Sequence, residues 1–152
     1  MKRLSFSDYF RGFLITLMWF STALAQHEIK NVDGLKVMLA TASVEDIKKH
    51  PDEHPEIKMH GGPKGTHHIL VHIEDEKTGK VVSDAAVQLT VHNPDGTKVT
   101  RPLEPMTIGG ITDYGNYFEL SDLGNYHMDA LITLKTGETR KATFVYERRP
   151  GH

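Results

Sequence analysis

Ten histidines, six methionines and no cysteine define the chemistry open to this 152-residue chain. Without thiols there is no disulfide, thiolate metal site, cysteine nucleophile or iron–sulfur cluster. Imidazole with thioether remains, a ligand set that suits copper. The donors crowd into one stretch, Met59, His60, His67, His68 and His72, with Met106 further along. His67 and His68 are adjacent, so in a strand they point to opposite faces. His68 and His72 share a face but stand roughly 13 Å apart. Metal–nitrogen bonds of only ~2 Å cannot span that gap. Each needs help from a neighbouring strand or from the glycine-rich loop carrying Met59 and His60. The expected site is therefore anchored by His68 or His72 and completed by His60, His67, Met59 or Met106. The competing expectation makes His68 and His72 half-exposed sheet residues and His67 a hydrogen-bonded edge residue.

Other constellations point to less. His50-Pro51-Asp52-Glu53-His54 has the H-x-x-E-H spacing of a zinc-protease helix. Pro55 disfavours the α region for His54, so a solvated loop is expected instead. No G-x-S-x-G, P-loop or dinucleotide fingerprint occurs, and nothing pairs two carboxylates for acid–base work. No enzyme is expected. Met106 lies in Leu103-Glu104-Pro105-Met106-Thr107, read as a proline-limited edge or loop. Met128 reads as core, His127 as facing out with Asp129, and His92 as solvated beside a turn. His27 and His152 read as residues of frayed termini.

The elements that must position these residues are strands. Thr66 to Glu74 alternates, with Ile69, Val71 and Ile73 on one face. Ala86 to His92 does so more cleanly, with Val87, Leu89 and Val91 inward. Leu35–Ala42, Tyr114–Leu120, Tyr126–Leu134 and Lys141–Arg148 supply four more. Asn93-Pro94-Asp95-Gly96 is a turn. Val44–Lys49 is a short helix that stops before Pro51. Residues 50–65 form a polar loop rich in proline, glycine and histidine. The pattern predicts an all-β fold, an immunoglobulin-like antiparallel β-sandwich of six to seven strands. Asp122-Leu123-Gly124-Asn125-Tyr126 has the spacing of a tyrosine corner, in which a tyrosine hydroxyl folds back onto upstream backbone.

Residues 1–25 read as a secretory signal. Lys2, Arg3 and Arg11 precede the apolar run Gly12–Phe20, and Ala23-Leu24-Ala25 fits a small-x-small cleavage site. Nine apolar residues are too few to cross ~30 Å of hydrocarbon. Residues 26–152 are then expected as a single exported domain without a membrane span, periplasmic or otherwise outside the cytoplasm. Eighteen basic against twenty acidic side chains give no electrostatic reason to expect nucleic acid.

The run Ile69–Glu74, then Thr78-Gly79-Lys80, then Asp84-Ala85-Ala86-Val87-Gln88-Leu89 resembles bacterial immunoglobulin-like domains. Thr112-Asp113-Tyr114-Gly115-Asn116-Tyr117 followed by Gly124-Asn125-Tyr126 resembles their second half. Over about residues 66–147 the chain is most similar to the exported YtkA-like and FixH-like group, and more distantly to CopC-type copper-binding sandwiches. The resemblance implies the sandwich fold. No copper ligand carries over, because the N-terminal histidine arrangement of the CopC type does not align. The expected function is a copper-binding module for handling or delivery. The alternative is a structural or interaction module of an envelope complex without metal.

Overall fold

A computed structural model describes residues 26–49, 58 and 62–150. The leader expected over residues 1–25 lies outside the described residues, as do His50, His54, Met59, His60 and His152. Eight strands follow in order: β1 (Gln26–Val32), β2 (Leu35–Ser43), β3 (His67–Asp75), β4 (Ala86–His92), β5 (Lys98–Ile108), β6 (Ile111–Phe118), β7 (Gly124–Thr133) and β8 (Thr139–Arg148). Among the described residues one α-helix, α1 (Val44–Lys49), stands between β2 and β3. Hydrogen-bonded neighbours run β1-β2-β3-β6-β5-β4-β7-β8, all antiparallel.

The strands form two layers because β5 belongs to both. Lys98–Leu103 pairs with β4, and Glu104–Ile108 pairs with β6. Across the open side, β1 and β8 are tied by side chains. Gln26 Nε2 donates to Glu147 O at 3.0 Å, and the Val145 amide donates to Glu28 Oε2 at 3.1 Å. The result is an antiparallel sheet curled almost into a barrel, which the immunoglobulin-like sandwich fits only loosely.

Three expectations need correction. The strand count among the described residues is eight, not six or seven. His27 is no frayed terminus but part of β1, opposite Ala40 of β2. The segment around Met106 is no loop but the second half of β5, and Met106 is buried. Proline is tolerated there because each half of β5 is an edge of its own layer. Pro102 lies in the half paired with β4 and Pro105 in the half paired with β6.

Period-two alternation fills the space between the layers. Val37, Leu39, Ile69, Val71, Ile73, Tyr114 and Phe118 meet Val87, Leu89, Val91, Met128, Ala130, Ile132 and Phe144, all buried in one cluster. The tyrosine corner is present, with the Tyr126 hydroxyl donating to Asp122 O at 2.9 Å. At the other end of the first layer, Ser43 caps α1 by accepting from the Asp46 amide at 3.0 Å. The start of α1 and the start of β3 are pinned together: the Val44 amide donates to Thr66 O at 2.8 Å, and the Thr66 amide to Phe118 O at 3.0 Å. Gly65 is required here, because a Cβ on it would lie 2.5 Å from Phe118 O.

Candidate metal centre

Strand β3 sorts the histidines by parity. His67 lies on the core side, 5% exposed, with its Nδ1 2.9 Å from Thr66 Oγ1 and its Nε2 3.4 Å from the Tyr146 hydroxyl. Burial pushes the His67 pKa down, favouring the neutral ring. His68 and His72 lie on the outer side of the first layer. His67 and His68 therefore cannot hold the same ion.

His68 is 2% exposed, so the expectation of a half-exposed sheet residue fails for it. It stands opposite Tyr117 of β6, with ring centroids 4.9 Å apart. Beside them Gly115 leaves a space where a side chain would be. A Cβ placed on Gly115 would lie 2.9 Å from His68 Nε2 and 2.9 Å from Met106 Cε. An imidazole nitrogen of β3 and the thioether end of a β5 residue thus converge over one glycine of β6. They arrive from two strands that flank β6, whose sequence positions are far apart.

The next row along the sheet is equally ordered. Met38 of β2 is opposite His72 of β3, His72 bonds Asp113 of β6, and Asp113 is opposite Met106 of β5. Two thioethers flank one histidine–carboxylate pair in a single cross-strand row. Met38, Asp113, Glu74 and Gly115 were not among the residues singled out from sequence. Their part is set by strand register, which composition does not reveal.

His72 itself is clamped. Its Nδ1 lies 2.6 Å from Asp113 Oδ1 and its Nε2 3.1 Å from Glu74 Oε1. Glu74 in turn meets Lys36 Nζ at 3.4 Å. The Asp113 contact raises the His72 pKa above its ordinary value, with Glu74 adding to it against the opposing effect of burial. Burial pushes the Glu74 carboxyl up, but His72 and Lys36 outweigh it and hold the pKa below its ordinary value. In this arrangement both His72 nitrogens face carboxylates, so a metal ion there must displace a proton and one carboxylate. Among the described residues, no three His, Asp or Glu side chains already stand together around one ion position. A site on this face therefore depends on its thioethers.

On the second layer His127 is exposed and faces out with Asp129, as the sequence pattern implies. The Asp129 carboxylate pairs with a different histidine: it lies 3.4 Å from His92 Nε2, with Lys141 at 2.9 Å. His127 and Asp129 are two apart on β7, whereas His92 reaches Asp129 from the neighbouring strand.

The fold has solved counterparts. FetP of uropathogenic Escherichia coli superposes with a TM-score of 0.63 at 15% identity, over 82% of this chain and 94% of that one. A copper-bound glutamate-to-glutamine variant of Campylobacter jejuni P19 gives 0.62 at 16% identity, over 82% and 96%. A DUF4426 family protein of Pseudomonas aeruginosa gives 0.60 at 17% identity, over 82% and 99%. No protein-family model and no curated protein sequence matches the chain. At such identities the likeness establishes the fold, and function has to be argued from the site. No helix among the described residues is long and apolar enough to cross a membrane.

Proposed function

We propose that this chain is an exported copper-binding module that buffers or delivers the ion and does not turn over a substrate. The observation that carries this reading is the meeting of His68 Nε2 and the Cε end of the Met106 side chain over Gly115. A buried nitrogen with a thioether side chain ending beside it suits Cu(I), and imidazole alone suits Cu(II) or Zn(II). Met106 belongs both to this pair and to the Met38–His72–Asp113 row, so it is the donor common to the two arrangements. His72 is the second anchor once its carboxylate clamp opens. Met59 and His60, which precede β3 in sequence, are the remaining candidate donors. His67 serves from behind the sheet as support, through Thr66 and Tyr146.

Three further observations support the reading. Solved neighbours of this fold include copper-bound forms of FetP and P19. The leader-like residues 1–25 fit delivery to the periplasm, and the motifs over residues 66–147 fit the YtkA-like and FixH-like group. The alternative, an envelope interaction module without metal, draws on the His72 clamp, where carboxylates occupy both ring nitrogens. The two readings separate on titration of the purified protein with Cu(I), Cu(II) and Zn(II) while the fold is monitored. Copper bound more tightly than by an unfolded histidine-rich peptide supports the first reading. Binding no better than that peptide supports the second.

A further inference from the structure

The outer face of the second layer carries another pair of histidines, and its donors differ. His92 of β4 and His127 of β7 are directly opposite in the register. Directly opposite residues on antiparallel strands have Cβ atoms about 4.5–5.5 Å apart. Two imidazoles at that separation can both reach one ion at ~2.0–2.1 Å. The outward direction of both follows from parity, since Val91, Tyr126 and Met128 beside them are buried in the core. Asp129, two residues along β7 on the same face, places Oδ2 3.4 Å from His92 Nε2. We propose that His92, His127 and Asp129 form a surface site for a borderline divalent transition-metal ion of the Zn(II), Ni(II) or Cu(II) class.

The donor set decides the class. Two nitrogens and one carboxylate oxygen match these ions, and no thioether is in reach because Met128 points into the core. Cu(I) therefore gains little here. The side chains do not already surround an ion; the imidazoles must turn toward each other. The His92 side chain is 43% exposed and His127 is exposed, so both can change rotamer at small cost. The competitor is Lys141, whose ammonium sits 2.9 Å from Asp129 Oδ2, while Thr143 donates to Oδ1 at 2.8 Å. Lys98 stands opposite His92 on its other side and adds a second positive charge. The ion must displace Lys141 from the carboxylate, so removing that ammonium strengthens binding. This site is independent of the copper reading, for it shares no residue with the first layer's donors.

The test uses the full chain with ZnCl2 and NiCl2 as probes. Paramagnetic Ni(II) is expected to broaden the backbone amide signals of residues 91–93 and 126–129 before any others on this layer. The double substitution His92→Ala, His127→Ala should remove that broadening and weaken Zn(II) binding by about tenfold or more, the scale seen when a ligand or its support is lost. Lys141→Met should tighten it. All three positions are surface ones, and circular dichroism checks that the variants fold. Broadening centred elsewhere, or a double variant that keeps this Zn(II) equivalent, would overturn the proposal. So would a Lys141→Met variant that binds more weakly. Because Met106→Leu leaves this face untouched, loss of Zn(II) binding in that variant would also contradict it.

Discussion

Two faces of one fold each carry two histidines, yet they are built for different chemistry. On the first layer His68 is almost fully buried beside Tyr117 and meets Met106 over Gly115. On the second layer His92 and His127 stand in the open, opposite each other, among Asp129, Lys141 and Lys98. The residue type is the same, and what differs is the company. A buried nitrogen with sulfur favours a soft ion, whereas exposed nitrogens with an oxygen favour a borderline divalent one. Counting histidines in a sequence cannot separate these two cases, because the difference lies in which strand is opposite which.

The comparison can be broken most severely through what both faces share. Leu89 is buried in the core between the layers. Leu89→Ala should destabilise the fold by about 2–5 kcal/mol and weaken binding on both faces together. Denaturant unfolding checks this, and a loss below ~0.5 kcal/mol would remove Leu89 from the core. The next effect belongs to one face. Gly115→Ala drives a methyl to 2.9 Å from both His68 Nε2 and Met106 Cε, so the pair must separate. Overpacking of this kind costs about 1–3 kcal/mol. Copper affinity should fall on the first layer while Zn(II) binding at His92 and His127 persists, as titration calorimetry would show.

The smallest effect concerns the His72 clamp and its dependence on pH. The folded-state pKa of His72 is raised, chiefly by Asp113. Its contribution to stability is then fully present below the unfolded value of about 6.5 and is lost as pH rises through the folded pKa. His72→Asn should destabilise by about 1–3 kcal/mol at pH 5.5, the scale of charge-assisted hydrogen bonds, and by clearly less at pH 8.5. Equal losses at both pH values would show that His72 is not held as the imidazolium. Metal binding runs the other way, since the ion competes with that proton.

Much of the fold was legible in the sequence, for a physical reason. Strands β4, β7 and β8 bury one face only, and β3 favours one face from Ile69 onward, so their apolar residues alternate visibly. Strand β1 hides because Gln26–Val32 buries so little, with Ile29 itself 47% exposed. Its available signal was the dipeptide Asp33-Gly34, whose positive φ values of 43° and 83° make the β1–β2 hairpin. Strand β5 hides behind Pro102 and Pro105, and its signal was Gly109-Gly110 before β6. The candidate site was half legible. His68, His72 and Met106 could be chosen by donor type alone. Met38 and Asp113 could not, because they enter through the registers of β2 with β3 and of β5 with β6. Without β5 in place, Met106 reads only as a donor in a proline-limited edge or loop, although it is the residue that joins both rows.

In the proposed reading the Met106 sulfur makes the first layer a copper site. Competition titration of Cu(I) against a chromogenic chelator tests it, comparing wild type with Met106→Leu. Leucine conserves volume, so the fold should change by less than about 1.5 kcal/mol. Wild type should bind Cu(I) tightly, and the variant should lose about tenfold to a hundredfold, as expected when a soft donor is removed. Zn(II) binding should stay unchanged. Indistinguishable Cu(I) affinities in the two proteins would contradict it.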